Sequence, residues 1–151
     1  MFRGANKVTL DAKGRMAMPA RYRDVLVERS EGRLVATVDR ADRCLLIYPL
    51  PDWEEIERKL MRLPTLNPQA RRLQRLMVGH ATDLELDSHG RVLVPPKLRE
   101  YAGLTRQAML IGQGSRFELW DEQHWNERRD AWLQAGEEPG ELPAELGQLS
   151  L

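Results

Sequence analysis

Two stretches of the chain, 76 residues apart, are variants of one sentence. Residues 8–26 read Val-Thr-Leu-Asp-Ala-Lys-Gly-Arg-Met-Ala-Met-Pro-Ala-Arg-Tyr-Arg-Asp-Val-Leu, and residues 84–102 read Leu-Glu-Leu-Asp-Ser-His-Gly-Arg-Val-Leu-Val-Pro-Pro-Lys-Leu-Arg-Glu-Tyr-Ala. The offset is constant and needs no gap. Leu10/Leu86, Asp11/Asp87, Gly14/Gly90, Arg15/Arg91, Pro19/Pro95 and Arg23/Arg99 are identical, and Met16/Val92 and Met18/Val94 stay apolar. The likeness continues more weakly, with Arg43-Cys44-Leu45-Leu46-Ile47 parallel to Arg116-Phe117-Glu118-Leu119-Trp120 and a tryptophan, Trp53 or Trp125, after each. An internal repeat of this length implies one supersecondary unit used twice. The halves divide as 1–79, a first repeat with following helices, and 80–135, a second repeat with a C-terminal helix. A Gly/Pro-rich acidic tail, 136–151, is expected to be loose.

Each unit reads as a β-hairpin followed by a short helix. Val8 and Leu10 alternate with polar residues as in a half-buried strand, and Met16 and Met18 restart the alternation. Asp11-Ala12-Lys13-Gly14 between them is a turn, with Asp bonding forward to backbone N–H groups and Gly supplying positive φ. Pro19 stops the strand and suits a first helical turn. Helices are expected over 20–29 and from Pro96 to Ala102, where Gly103 ends the second. Further strands are expected at 34–38, 44–48, 108–111 and 116–120, the last two joined by Gly112-Gln113-Gly114-Ser115. Asp52 and Glu55 resemble a capping box that opens a helix with Trp53, Ile56, Leu60 and Leu63 on one face. Asn67-Pro68 opens another, with Leu73, Leu76 and Met77 opposite Arg71, Arg72 and Arg75. A last helix carries Trp125 and Trp132, expected in the core or at a subunit contact. The fold class is α+β.

The charge is zero in sum, with 23 basic and 23 acidic residues, but it is polarised. Residues 1–30 carry seven Lys/Arg against three acids, residues 58–75 six basic residues and no acid, and residues 117–151 nine acids and two arginines. Such a chain can present a basic face despite its neutral total. Within that basic N-terminal region, Asp11 and Arg15 are spaced to meet across the turn as a charge-assisted pair, as are Asp87 and Arg91. The pair fixes the arginine, and Lys13 or His89 projects from the tip. His89 is the weaker phosphate binder near pH 7, so the first copy is the better candidate for contact with nucleic acid.

The motifs Leu10-Asp11-Ala12-Lys13-Gly14-Arg15 with Pro19 and Arg23, the opening Met-Phe-Arg-Gly, and Asp87-Ser88-His89-Gly90-Arg91 with Val94-Pro95 resemble the MraZ family, over nearly all of residues 1–135. The resemblance implies an AbrB-like fold in which two swapped hairpins of one chain make an internal pseudo-dimeric β-barrel with peripheral helices. It also implies ring-shaped homo-oligomers that bind short tandem repeats in double-stranded DNA, in the promoter of the chain's own operon within the division and cell-wall gene cluster. Arg3, Lys7, Lys13, Arg15, Arg21 and Arg91 are the expected DNA-binding residues, gathered near one edge, with Asp11, Gly14, Asp87 and Gly90 shaping the loops. His89 at the second tip and the long acidic tail depart from that expectation in detail.

Other chemistry is thinly represented. The single cysteine, Cys44, excludes an intrachain disulfide and fits a reducing compartment. His80, His89 and His124 form no metal-ligand spacing with it, so neither metal nor cofactor is expected. No phosphate loop or nucleophile elbow occurs. No apolar run reaches the roughly 20 residues of a membrane helix, and Met1–Lys7 lacks a signal-peptide core. A cytoplasmic, nucleoid-associated protein without a membrane partner is expected. The rival readings are an AbrB-like antitoxin or adaptor acting mainly through protein contacts, motivated by the acidic tail, and a small hydrolase using Asp87 and His89, for which the first repeat has no matching histidine.

Overall fold

The structure, a computed structural model, describes residues 1–135 and Leu149, so the tail expected over 136–151 lies outside the described residues apart from that leucine. In chain order the elements are β1 (Phe2–Thr9), β2 (Arg15–Ala17), α1 (Ala20–Ser30), β3 (Arg33–Val38), β4 (Leu45–Pro49), α2 (Leu50–Met61), α3 (Pro68–Met77), β5 (Thr82–Glu85), β6 (Arg91–Leu93), α4 (Pro96–Tyr101), β7 (Gln107–Gly114), β8 (Arg116–Asp121) and α5 (Glu122–Ala135). The mixed α+β class and the order of elements follow the sequence reading. No helix among the described residues is long and apolar enough to cross a membrane.

The strand partners are where the chain departs from two hairpins side by side. β1 and β2 share a single bridge, Leu10 to Met16. Instead, β1 pairs antiparallel with β7 of the second repeat, Phe2 opposite Gly114 through Thr9 opposite Gln107. Reciprocally, β5 of the second repeat pairs with β3 of the first, and β2 pairs with β6, Met16 opposite Val92. The first strands of the two repeats are thus exchanged. The sheet runs β1-β7-β8-β4-β3-β5, and β2-β6 form a separate two-stranded ribbon.

The expected barrel is therefore corrected: the sheet keeps two outer strands, β1 and β5, that do not pair with each other. Pro19 and Pro95 are the physical reason. Neither carries a backbone N–H, and each begins the approach to a helix, so β2 and β6 stop after three residues and cannot span the gap.

Strand alternation puts two faces of this sheet to work. On one face Leu34, Ala36, Val38, Leu45, Ile47, Leu110 and Leu119 pack with Met16, Met18, Val92 and Val94 of the ribbon and its flanks, and with Leu26 of α1 and Leu98 of α4. On the other face Val35, Leu46 and Tyr48 pack against Trp53, Leu60 and Met77 of α2 and α3. Trp120 meets Trp125 and Trp132 of α5 at ring centroids 5.5 and 5.9 Å away. The result is three layers, with the ribbon and α1/α4 on one side and α2, α3 and α5 on the other.

Smaller differences have local causes. α2 begins at Leu50, after Pro49, with no side-chain cap, so the capping box expected at Asp52 does not form. The Asp52 carboxylate accepts two hydrogen bonds from Arg29 at the end of α1, at 2.7 and 2.6 Å. That bidentate pair outcompetes a cap because it ties two helices together. Asn67 does cap α3, accepting from Gln69 and Ala70 N–H. β7 continues through Gly114, so the turn into β8 is tighter than Gly112–Ser115 suggests.

Candidate nucleic-acid interface

The two Asp-x-x-Gly-Arg loops close in the same way. Asp11 Oδ1 accepts from the backbone N–H groups of Lys13 and Arg15, both at 2.9 Å, and Oδ2 accepts from Arg15 Nε at 2.8 Å. Asp87 does the same with His89 N, Arg91 N and Arg91 Nε at 2.8, 2.9 and 3.0 Å. Gly14 and Gly90 sit at φ 88° and 73°, a region that favours glycine. The backbone N–H of Arg15, followed by the Arg15 guanidinium and Lys13 N–H, holds the Asp11 carboxyl down at about 2; Asp87 is lowered for the same reasons. Each carboxylate grips its arginine by the Nε edge and leaves the two terminal nitrogens without a partner among the described residues.

The loops are braced by the opposite repeat. Val94 N–H donates to Gly14 O at 2.9 Å and Met18 N–H to Gly90 O at 3.0 Å. Arg99 Nε donates to Val94 O, and Arg23 Nε to Met18 O, at 3.0 and 2.6 Å. From there the Arg99 side chain lies directly against Gly14, and that of Arg23 against Gly90: a Cβ on either glycine would fall 2.5 or 2.6 Å from the Nε. The glycines are thus required both by φ and by close approach. Sequence reasoning missed Arg23 and Arg99 as site residues, although both were identities of the repeat.

On the ribbon the inward residues are Met16 and Val92, while Arg15, Ala17, Arg91 and Leu93 face outward. Arg15 opposes Leu93 and Arg91 opposes Ala17, so the two clasped arginines stand diagonally on one outer face. Lys13 is exposed at the tip beside Arg15 and His89 at the tip beside Arg91. Lys13 and Arg15 are therefore not walled in. The remaining expected cations stand apart. Arg3 lies eight residues before Asp11 along β1, roughly 25 Å at strand rise. Lys7 pairs with Glu122 at 3.3 Å and stays 70% exposed. Arg21 reaches back to β1, donating to Asn6 Oδ1 at 2.8 Å and to the carbonyl of Arg3 at 3.3 Å. Arg71, Arg72 and Arg75 are exposed on α3, on the opposite side of the sheet from the ribbon.

Two other clusters have their polar atoms engaged within the chain. Asp39, Cys44 and Glu118 bring ligand-type atoms within 4.8 Å of one another, a grouping with no histidine and one that sequence spacing could not show. Cys44 Sγ faces Asp39 Oδ2 at 3.8 Å, and Trp120 Nε1 donates to Glu118 Oε1 at 3.0 Å. Burial, with Glu118 nearby, pushes the thiol far up. Asp87 and His89 do not form an acid–base pair: the carboxylate takes the His89 backbone N–H, and the imidazole turns to Ser88 Oγ at 3.3 Å.

The family described as "MraZ protein, putative antitoxin-like" matches residues 1–76 and again 77–136. Proteins named transcriptional regulator MraZ are similar along their whole length. The one from Halorhodospira halophila is 59% identical over 152 residues, that from Pseudomonas aeruginosa 59% over 151, and that from Thioalkalivibrio sulfidiphilus 60% over 151, each alignment covering all of both chains.

Proposed function

The chain belongs to the MraZ family of transcriptional regulators, and from that premise we propose that it binds double-stranded DNA through the outer face of the β2–β6 ribbon. One observation carries this reading: two arginines, each fixed by its own aspartate, stand diagonally on a two-stranded ribbon with their terminal nitrogens unengaged among the described residues. A β-ribbon fits the major groove, and a guanidinium there can make a bidentate contact with guanine worth roughly 1–3 kcal/mol. The clasp removes rotamer freedom before binding, which lowers the entropic cost of the contact. Lys13 then neutralises phosphate beside Arg15. Arg3, Lys7 and Arg21, which stand apart from the ribbon, contact phosphates of the flanking duplex rather than of the site under the ribbon, which positions without reading sequence.

The exchange of β1 and β5 between the repeats supports an AbrB-like arrangement with both hairpins in one chain, the units being 1–79 and 80–135. One ribbon covers little DNA. A ring of identical chains would present several to tandem repeats and gain by effective concentration. The sites proposed are short repeats in the promoter of the chain's own operon, in the division and cell-wall gene cluster, and the protein acts in the cytoplasm at the nucleoid, without an enzymatic role.

The test is binding to a promoter duplex and a scrambled duplex, followed by fluorescence anisotropy. Arg15→Ala loses at least tenfold in specific affinity with an unchanged circular dichroism spectrum. Equal binding by an intact Arg15→Ala variant rejects the assignment. The "antitoxin-like" description of the family favours one second reading, an AbrB-like antitoxin or adaptor. There, deletion of 136–151 abolishes capture of a protein partner and leaves DNA affinity unchanged.

A further inference from the structure

The two halves of the interface look interchangeable in the repeat but differ in charge. The difference arises outside the gapless alignment. Leu10 N–H donates to Arg106 O at 2.8 Å, and its counterpart Leu86 N–H donates to Gly32 O at 2.9 Å. Arg106 is therefore the structural equivalent of Gly32, and Thr105 of Glu31. The offset is 74 there rather than 76, which hides the correspondence.

Each pair of equivalents lines a depression beside one loop. Beside the Asp11 loop stand Arg15, Arg91, Arg99 and Arg106, with one carboxylate, Asp11, already spent on Arg15. Beside the Asp87 loop stand Arg23, Glu31 and Asp87, with Arg91 clasped to that aspartate. One depression gathers four guanidiniums against one acid; the other has two guanidiniums against two acids. Arg106 is exposed, and its guanidinium has no hydrogen bond or ion pair among the described residues. Four cations drawn together repel one another, and an anion seated among them relieves that repulsion. Guanidinium is the side chain best matched to phosphate oxygens, through paired N–H donors.

We propose that the depression formed by Arg15, Arg91, Arg99 and Arg106 is a phosphodiester subsite that seats one backbone phosphate of bound DNA, and that its charge-balanced counterpart beside Asp87 seats none. The chain then lies on DNA with a fixed polarity despite its internal symmetry. This deepens the DNA-binding reading and rests on it. Arg99 serves both sides of the arrangement, its Nε held by Val94 O against the loop at Gly14 while its side chain lines the depression.

The experiment is the salt dependence of affinity for the promoter duplex, by anisotropy at several chloride concentrations, on the full chain. Arg106→Ala lowers the magnitude of the log–log slope by about 0.9, the release of one phosphate contact. Arg106→Lys restores most of the slope, and Glu31→Gln leaves it as in the unmodified protein. Circular dichroism verifies the fold of each. A slope unchanged in Arg106→Ala, while Arg15→Ala still loses tenfold, overturns the subsite and leaves the DNA reading standing. So does a Glu31→Gln slope that rises by as much as Arg106→Ala falls, which would mean two equivalent sites. Failure of the unmodified protein to prefer the promoter duplex overturns both.

Discussion

Gly14→Ala is the perturbation that interrogates the interlock most sharply. Gly14 has φ 88°, where an L side chain costs about 1–2 kcal/mol. The new Cβ would also stand 2.5 Å from Arg99 Nε and 2.7 Å from its Cζ, so the guanidinium must leave its seat. Leaving breaks the 3.0 Å bond to Val94 O. A hydrogen bond to a charged group is worth about 1.5–3 kcal/mol, discounted here because Arg99 is half-buried and regains water. The sum is about 2–4 kcal/mol, a large part of a typical domain's stability. Urea unfolding at fixed protein concentration reads this as a midpoint lower by about 1–2 M. Gly103→Ala is the internal control: φ is 63°, and nothing lies within 4 Å of the new Cβ, so only the backbone cost of about 1–2 kcal/mol remains. If Gly14→Ala and Gly103→Ala unfold at the same midpoint, Arg99 does not lean on the first loop and the cross-bracing argument fails.

Three other outcomes follow from the same geometry. Met16→Ala, at a position with 0% exposure beneath the ribbon, loses about 2–5 kcal/mol by urea unfolding; a loss under about 1 kcal/mol would mean that the ribbon does not cap the core. The Asp11 carboxyl titrates near 2 rather than at the usual 3.8 when followed by carbon NMR. Its folded value is depressed, so its contribution is whole above about 3.8 and vanishes as pH falls through about 2, and an ordinary titration would remove the clasp. Cys44, buried with its thiol pushed up, stays unreactive toward a disulfide reagent in the native protein and reacts on addition of denaturant; rapid native reaction would contradict its burial.

Local chemistry was legible in the sequence and pairing was not. Asp11, Gly14 and Pro19 dictate a turn and a stop within a few residues, and those features appear where the residues require them. The alternation of Val8 and Leu10 told which side chains point inward, but alternation is blind to which strand lies alongside. Hence β1 reads as the partner of β2, while its ladder is with β7, roughly a hundred residues on. The same blindness hid the braces. Arg23 and Arg99 were visible as identities without a role, because each acts on the loop of the other repeat. Arg106 gave no signal, since its counterpart is a glycine at a shifted offset. Asp52 carried a genuine capping pattern that lost to Arg29, a residue brought in by packing.

Photocrosslinking from a reactive side chain placed at position 13 tests the central claim most directly, with position 66 as the remote control, 94% exposed in the turn before α3. With promoter duplex, the account predicts strong crosslinks to DNA from position 13 and none above background from position 66. Crosslinks from position 66 with none from position 13 would move the DNA away from the ribbon and contradict it.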